Sequence, residues 1–267
     1  MLLPLILLPN FPIFPMKTAL IQLDIQRRDA SANIAAAQAA VLRHTDAELY
    51  ILPEMWATGF DMQPTEQTFA AAEEGRLWME ATSRQRGCTI LGSLPVGSHG
   101  QAFNRCFVYS HGQCLTTYDK RHLFSYGGED QHYQPGNDST TCLVGDLRLR
   151  PLVCYDLRFP VFARCHDDYD VLIYVANWPQ SRIQAWSALL CARAIENQCY
   201  VIGVNRTGVD GRLTYNGQSA VYAPDGQELL RLDNQAESAT IDLSLDTVRE
   251  VRRRFPFLRD ADAFTLC

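Results

Sequence analysis

The stretch of sequence that decides the fold is DLRLRPLVCYD, residues 146–156. Its first half alternates apolar and polar residues, and the following PLV is wholly apolar until the chain reaches Cys154. Such a run predicts a strand whose far end is buried on both faces. Residues 170–177, DVLIYVAN, predict a second buried strand. Two buried strands in succession indicate a sheet that is covered on both sides.

Helix-like and strand-like segments alternate on both sides of this stretch. Apolar periodicity predicts helices over about 29–43, 67–86 and 181–198, and a last one in LDTVREVRRRF. Gly87 is expected to end the second helix and Ser181 to cap the third. Further strands are predicted in KTALIQLDI, ELYILPEM, CTILGSLPV, AFNRCFVYS, QCLTTYDK, CYVIGVN, GQSAVYAP, GQELLRLD and ESATIDLS. The order predicts a layered α/β fold with a mixed sheet.

Length and composition limit the possible classes of protein. A chain of 267 residues can form one large domain without disulfides or a structural metal, and we predict that domain over residues 16–267. A net charge of -6 without a long basic run argues against nucleic acid or an anionic membrane as partner. Nine cysteines without CxxC pairs favour free thiols, and therefore a cytoplasmic location.

The first fifteen residues, MLLPLILLPNFPIFP, are apolar but fit neither a signal peptide nor a membrane span. No Lys or Arg precedes Lys17, and four prolines interrupt the apolar run. We expect residues 1–15 to be an extension outside the domain and to be poorly ordered.

Three reactive side chains each stand at the end of a predicted strand. LYILPE ends at Glu54, TTYDK at Lys120 and PLVC at Cys154. Ligands and catalytic groups gather at strand carboxyl ends in open α/β sheets. If these ends converge, they supply a proton acceptor, a cation for a developing oxyanion and a nucleophile. Taken singly, the three residues could equally be a surface carboxylate, a solvated charge and a buried structural thiol.

Three segments around these residues carry a family resemblance: LPEMWATGF, YDKRHLF and LVCYDLRFP. In their order and spacing they resemble the signature segments of the nitrilase superfamily of carbon–nitrogen hydrolases. CYDLRFP, followed by ANWP and ARAIENQ, is similar to the omega-amidase branch, whose members remove the distal amide of short 2-oxo acids. The resemblance implies a four-layer α-β-β-α sandwich of the nitrilase type, a homodimer, no metal or other cofactor, and Glu54, Lys120 and Cys154 as catalytic triad.

The resemblance also implies that Glu129, in GGEDQHYQPG, is a second catalytic glutamate that positions the lysine and the substrate. A solvated loop carboxylate is the alternative. In the expected chemistry the thiolate of Cys154 attacks an amide carbonyl, and Lys120 favours both that thiolate and the oxyanion. The backbone N–H of Tyr155 is the candidate second oxyanion donor, and Glu54 carries the proton.

Several residues are candidates for the substrate pocket. Trp178, Phe60 and Phe124 could form its walls, or could simply pack in the core. Arg158 could bind a substrate carboxylate, or could form a structural ion pair. Arg193 and Glu196 are expected to form an ion pair or to pack. His122, His132 and His166 match no tetrahedral ligand spacing, so no metal site is predicted.

The predicted reaction is hydrolysis of the terminal amide of a small 2-oxo acid, such as 2-oxoglutaramate to 2-oxoglutarate and ammonia, through a Cys154 thioester. Aliphatic amides, carbamoyl compounds and nitriles remain alternative substrates. A non-catalytic binding module on the same fold is a second possibility. A redox sensor is a third, with Cys165 the nearest cysteine along the chain.

Overall fold

The computed structural model describes residues 15–266. The expectation for residues 1–15 therefore concerns residues outside this range, apart from Pro15. The α-helices are α1 (Ala30–Arg43), α2 (Glu66–Arg86), α3 (Ile183–Asn197) and α4 (Leu245–Arg254). The strands are β1 (Met16–Gln22), β2 (Leu49–Ile51), β3 (Thr89–Ser98), β4 (Gln101–Ser110), β5 (Gln113–Asp119), β6 (Cys142–Val144), β7 (Leu147–Val153), β8 (Val171–Ala176), β9 (Tyr200–Asn205), β10 (Thr207–Asp210), β11 (Leu213–Asn216), β12 (Ala220–Tyr222), β13 (Glu228–Arg231) and β14 (Glu237–Leu243).

Two six-stranded sheets form the centre of the fold. The first has the order β14-β1-β2-β3-β4-β5, and the second has the order β13-β12-β9-β8-β7-β6. Each contains three parallel neighbours, β1-β2-β3 and β7-β8-β9, with antiparallel strands beside them. The predicted mixed sheet is confirmed. Strand β5 is antiparallel to β4, which is antiparallel to β3, so β5 ends at the same edge of the first sheet as β2.

The side chains of the first sheet separate the layers. Along β1, Ala19 and Ile21 pack into the apolar cluster that also contains Ala37 of α1 and Met79 of α2. Leu20, between them, belongs instead to the cluster that spans both sheets. Because side chains alternate across a strand, this pattern places helices on one face of the first sheet and the second sheet on the other. With α3 packed on β9 and β12, the predicted four-layer α-β-β-α sandwich is confirmed.

The sequence predicts the residue that ends α2 and the residue that caps α3. Gly87 ends α2 in a left-handed conformation, with φ of 62°, as predicted. The predicted Ser181 cap is wrong: Ser181 lies in a 3-10 turn, Gln180–Arg182, and α3 begins at Ile183 without a side-chain cap. The 3-10 turn supplies the local hydrogen bonds that a serine cap would have supplied.

Within residues 15–266, no helix is long and apolar enough to cross a membrane.

We expect Met79→Ala to destabilise the fold, because Met79 is fully buried between α2 and the first sheet. The loss should be about 2–5 kcal/mol, the usual range for a large buried side chain cut back to alanine. Leu77→Ala on the same helix is the matched control, since Leu77 is 50% exposed. Urea unfolding of the two variants measures the difference, and equal losses would contradict this account of the helix–sheet layer.

Candidate active site

Glu54, Lys120 and Glu129 form a charged cluster with no exposure to solvent. Glu54 follows β2 and Lys120 follows β5, at the same edge of the first sheet. The Lys120 ammonium donates to Glu54 Oε1 at 2.9 Å and to Glu129 Oε2 at 2.8 Å. Glu129 lies in the 3-10 turn Glu129–Gln131, and it also accepts from the backbone N–H of Phe124 at 2.7 Å. The structure therefore places the loop glutamate in the cluster and not in solvent.

Two asparagines complete the surroundings of the Glu54 carboxylate. Asn104, inside β4, donates from Nδ2 to Glu54 Oε1 at 2.8 Å and to Glu129 Oε1 at 3.2 Å. Asn177, directly after β8, donates its backbone N–H to Glu54 Oε2 at 2.8 Å. The second contact joins the ends of the two sheets. The sequence analysis missed both residues, although each has a recognisable signal: a polar residue inside an apolar strand, and a polar residue at a buried strand end.

Cys154 directly follows β7 and has a φ of 47°, in the left-handed region. A non-glycine residue in this region costs about 1–3 kcal/mol and is common at functional sites. Met55, directly after Glu54, has a φ of 45°. The residue that carries the thiol and the residue next to the carboxylate are thus both strained, and the surrounding hydrogen bonds have to hold them in place.

Asp156 holds the strand end that carries Cys154. Its buried carboxylate accepts from the backbone N–H of Val153 at 2.9 Å and from the Tyr118 hydroxyl at 2.8 Å. It also accepts from the backbone N–H of His122 at 3.0 Å and lies 2.8 Å from His122 Nδ1. One side chain therefore ties the segment that carries the nucleophile to the segment that carries the lysine.

Burial and the charges of the cluster both act on the pKa of Cys154. Burial raises the pKa of the Cys154 thiol well above its usual range, the negative charge of Glu54 adds to this, Lys120 lowers it and Glu129 raises it again. Burial alone would lower the pKa of Lys120, but the charges of Glu129 and Glu54 hold that pKa well above its usual value. The charge of Lys120 lowers the pKa of Cys154, in the direction expected from the sequence, but burial and the two carboxylates raise that pKa by more.

The pKa of the buried Glu129 carboxyl is higher than that of an ordinary surface glutamate. Burial raises the pKa of Glu129, Lys120 lowers it, and the charge of Glu54 raises it. The net direction is upward. The two glutamates share a single ammonium, and the negative charge of Glu54 makes the ionised form of Glu129 less favourable.

A cavity of about 330 Å³ opens beside Cys154. All four residues proposed from the sequence for substrate binding line it: Tyr155, Trp178, Phe60 and Phe124. The backbone N–H of Tyr155 lies in the first turn of the 3-10 helix Cys154–Arg158, where N–H groups have no partner within the helix. A cavity of this size, with six aromatic residues in its wall, suits a small organic ligand.

Three arginines line the same cavity and differ in their partners. Arg27 lies 3.5 Å from Asp61 and 3.6 Å from Asp210. Arg158 stacks 5.0 Å above the Trp178 ring and forms no ion pair with any residue of the described part of the chain. The structural ion pair considered for Arg158 is therefore absent between residues 15 and 266.

Arg182 is the other arginine of the cavity without an ion-pair partner among the described residues, and the sequence analysis missed it. Its guanidinium lies 5.1 Å from the Phe124 ring. The hairpin of β10 and β11 was missed as well, and it contributes Asp210, Gly211, Leu213 and Tyr215 to the cavity wall. Strands β10 and β11 are short and the GVDGRL segment that joins them is polar, so the sequence shows too little apolar periodicity to predict this hairpin.

Two other groups of candidates lie outside the cavity wall. Arg193 pairs with Glu196 at 3.0 Å and donates to the carbonyl of Leu157 at 2.7 Å, which confirms their structural role. His122, His132 and His166 are spread over different parts of the fold. No group of three or more His, Cys, Asp or Glu side chains within residues 15–266 is arranged to hold a metal ion.

A four-layer sandwich with a thiol at the wall of a cavity, and a carboxylate and an ammonium buried near that thiol, is typical of hydrolases that use a cysteine nucleophile. The chain belongs to one family of this class: residues 17–253 match the model of the carbon–nitrogen hydrolase family. The family assignment from the three sequence segments is confirmed.

Individual relatives support the same branch of the family. The chain is 40% identical to "Omega-amidase YafV" of Escherichia coli K12 over 94% of this chain and 98% of the relative. It is 31% identical to "2-oxoglutaramate amidase" of Bacillus subtilis strain 168, over 90% and 95% of the two chains. XC1258 of Xanthomonas campestris, a CN-hydrolase superfamily protein crystallised with an arsenic adduct in its active site, has a TM-score of 0.89 at 35% identity. That similarity covers 95% of this chain and 99% of XC1258.

We expect alkylation of Cys154 by iodoacetamide to increase with pH through a midpoint above that of a free cysteine, which is about 8.5. A raised pKa keeps the proton on sulfur to higher pH, so little thiolate reacts at neutrality. Peptide mass spectrometry after timed exposure follows Cys154, and a Cys154→Ala variant gives the background from the other thiols. A midpoint at or below that of free cysteine would contradict the charge balance described here.

Proposed function

We propose that this carbon–nitrogen hydrolase releases ammonia from the terminal amide of a small 2-oxo acid, as its omega-amidase and 2-oxoglutaramate amidase relatives are named for doing. The observation that carries the proposal is the composition of the cavity. A candidate nucleophile, Cys154, shares it with the guanidinium of Arg158, which has no carboxylate partner among the described residues. A substrate with an amide at one end and a carboxylate at the other would satisfy both.

In the first half of the proposed reaction, Cys154 Sγ forms a bond to the amide carbon while Glu54 takes the thiol proton. The raised pKa of the Cys154 thiol supports a transfer of this kind, in which the proton leaves as the sulfur attacks. The carbonyl oxygen becomes an oxyanion beside the Lys120 ammonium and the backbone N–H of Tyr155. The carbon–nitrogen bond then breaks, and Glu54 gives its proton to the departing nitrogen, which leaves as ammonia.

In the second half, water replaces ammonia. Glu54 takes a proton from the water as its oxygen attacks the thioester carbon, and the same charges stabilise the second oxyanion. The carbon–sulfur bond breaks, the proton on Glu54 returns to the sulfur, and the acid product leaves. Asn104 and Asn177 hold the Glu54 carboxylate through both halves, and Glu129 keeps Lys120 in position.

Two further features belong to the proposal. The homodimer implied by the family resemblance is tested by size-exclusion chromatography with light scattering. The cytoplasmic location is supported by the cysteines: the eight within the described residues are all free thiols.

Steady-state ammonia release from a panel of substrates tests the proposed function. We expect turnover of 2-oxoglutaramate and none of the corresponding nitrile. Cys154→Ala should reduce turnover by about 10⁴-fold or more, the usual effect of removing a nucleophile. Cys114→Ala is the control, because Cys114 is exposed and is not part of the cavity wall. No ammonia from any 2-oxo amide would refute the substrate, and unchanged turnover by Cys154→Ala would refute the mechanism.

We expect Arg158→Gln to impair only substrates that carry a carboxylate. For 2-oxoglutaramate, kcat/KM should fall about 10- to 100-fold, since a hydrogen bond to a charged group contributes about 1.5–3 kcal/mol. For the uncharged pentanamide, kcat/KM should stay within about twofold. The same comparison with Arg182→Gln shows which of the two arginines binds the carboxylate. An equal fall for both substrates would mean that Arg158 acts on the shape of the site.

A further inference from the structure

The hydrogen bonds of Asn177 determine which way its side-chain amide group points. The residue is only 6% exposed and directly follows β8. Its Nδ2 donates to the backbone carbonyl of Glu54 at 2.7 Å and approaches Glu54 Oε2 at 3.3 Å. Both partners can only accept, so the amide nitrogen and not the amide oxygen must face Glu54. The side-chain oxygen of Asn177 therefore faces away from Glu54.

That oxygen, Oδ1, is buried and has no hydrogen-bond donor among residues 15–266. A buried carbonyl without a donor is destabilising, and in native structures it calls for an explanation. Asn177 lines the same cavity as Cys154. Because the oxygen itself has almost no accessible surface, an N–H group of a ligand in that cavity would supply the missing donor by displacing the groups that cover it.

Cleavage of a primary amide brings such a group to this place. The departing nitrogen must reach the Glu54 carboxylate, which gives it a proton, and Asn177 is hydrogen-bonded to that same carboxylate. The nitrogen carries two hydrogens of its own, and its lone pair must point to the proton on Glu54. An acceptor beside Glu54 would hold one N–H and turn the lone pair toward the acid.

We propose that Asn177 Oδ1 accepts a hydrogen bond from the amide nitrogen of the substrate, and that this contact makes the site selective for primary amides. The inference rests on the proposed function and adds a residue that recognises the leaving group. An ester oxygen has no hydrogen to donate, so an ester of the same acid gains nothing from this contact. The selectivity lies in the acylation step, where the carbon–nitrogen bond breaks.

Asn104 provides a matched control. It also donates from Nδ2 to the Glu54 carboxylate, at 2.8 Å, and it is also fully buried. Unlike Asn177, it is not part of the cavity wall. The Oδ1 atom of Asn104 is likewise buried without a donor among residues 15–266. Removing either asparagine takes a hydrogen bond from Glu54, but of the two only Asn177 lines the cavity that contains Cys154.

The experiment compares kcat/KM for 2-oxoglutaramate and for the methyl ester of 2-oxoglutarate at the same carbon, in wild type, Asn177→Ala and Asn104→Ala. Ammonia and methanol release report the two reactions. Asn104→Ala should lower both values by the same factor. Asn177→Ala should lower the amide value about 3- to 10-fold more than the ester value, the range expected for one hydrogen bond between neutral groups. Equal losses for amide and ester in Asn177→Ala would overturn the proposal.

The experiment includes a check that each variant folds and an alternative pair of substrates. Thermal unfolding checks each variant, and Asn177→Ser replaces Asn177→Ala if the alanine variant does not fold, with the same selective loss expected. If wild type cleaves another amide instead of 2-oxoglutaramate, the amide and the methyl ester of that acid are compared. In that case the proposed substrate fails while the role of Asn177 is still tested, and equal losses again overturn it.

Discussion

The site depends on one buried ammonium between two buried carboxylates. Glu54 and Glu129 would repel each other strongly in a region without solvent, and Lys120 is the charge that allows both to be there. A buried ion pair of this kind adds little net stability compared with apolar packing, but the loss of one member leaves an uncompensated charge. The arrangement is therefore understandable as a functional constraint, in which the fold tolerates three buried charges in order to place them beside a thiol.

The cluster contains more negative than positive charge, and this affects the thiol of Cys154. With two carboxylates and one ammonium, adding a thiolate would bring a third negative charge to the same buried place. Burial raises the pKa of Cys154 and the charge of Glu54 raises it further, so in the proposed mechanism the proton leaves as the sulfur attacks the carbonyl. Glu54, the proposed base, accepts hydrogen bonds from Asn104 of the first sheet and from Asn177 at the end of a strand of the second, so both halves of the sandwich position its carboxylate.

Much of the site could be predicted because its charged members stand at strand ends or in motif segments. Glu54, Lys120, Cys154 and Glu129 were all named from the sequence, and the structure brings the three charged ones into direct contact beside the thiol. The asparagines were not found, because an amide side chain gives no charge or metal-ligand signal in a sequence. The net upward shift of the Cys154 pKa could not be predicted, because the sequence shows that Lys120 is present but not that burial and two carboxylates oppose its effect.

The amino-acid sequence by itself determined the alternation of strands and helices, the family, and which residue types end the buried strands, since apolar periodicity and local motifs depend on neighbours along the chain. Only the tertiary structure decided that Asp156 ties two distant segments together, that Arg158 lacks the ion pair considered for it among the described residues, and that Asn177 leaves one buried oxygen without a donor. These facts concern partners tens of residues apart. Hydrogen bonding, burial and charge compensation depend on distance in space, and periodicity along a chain carries no record of it.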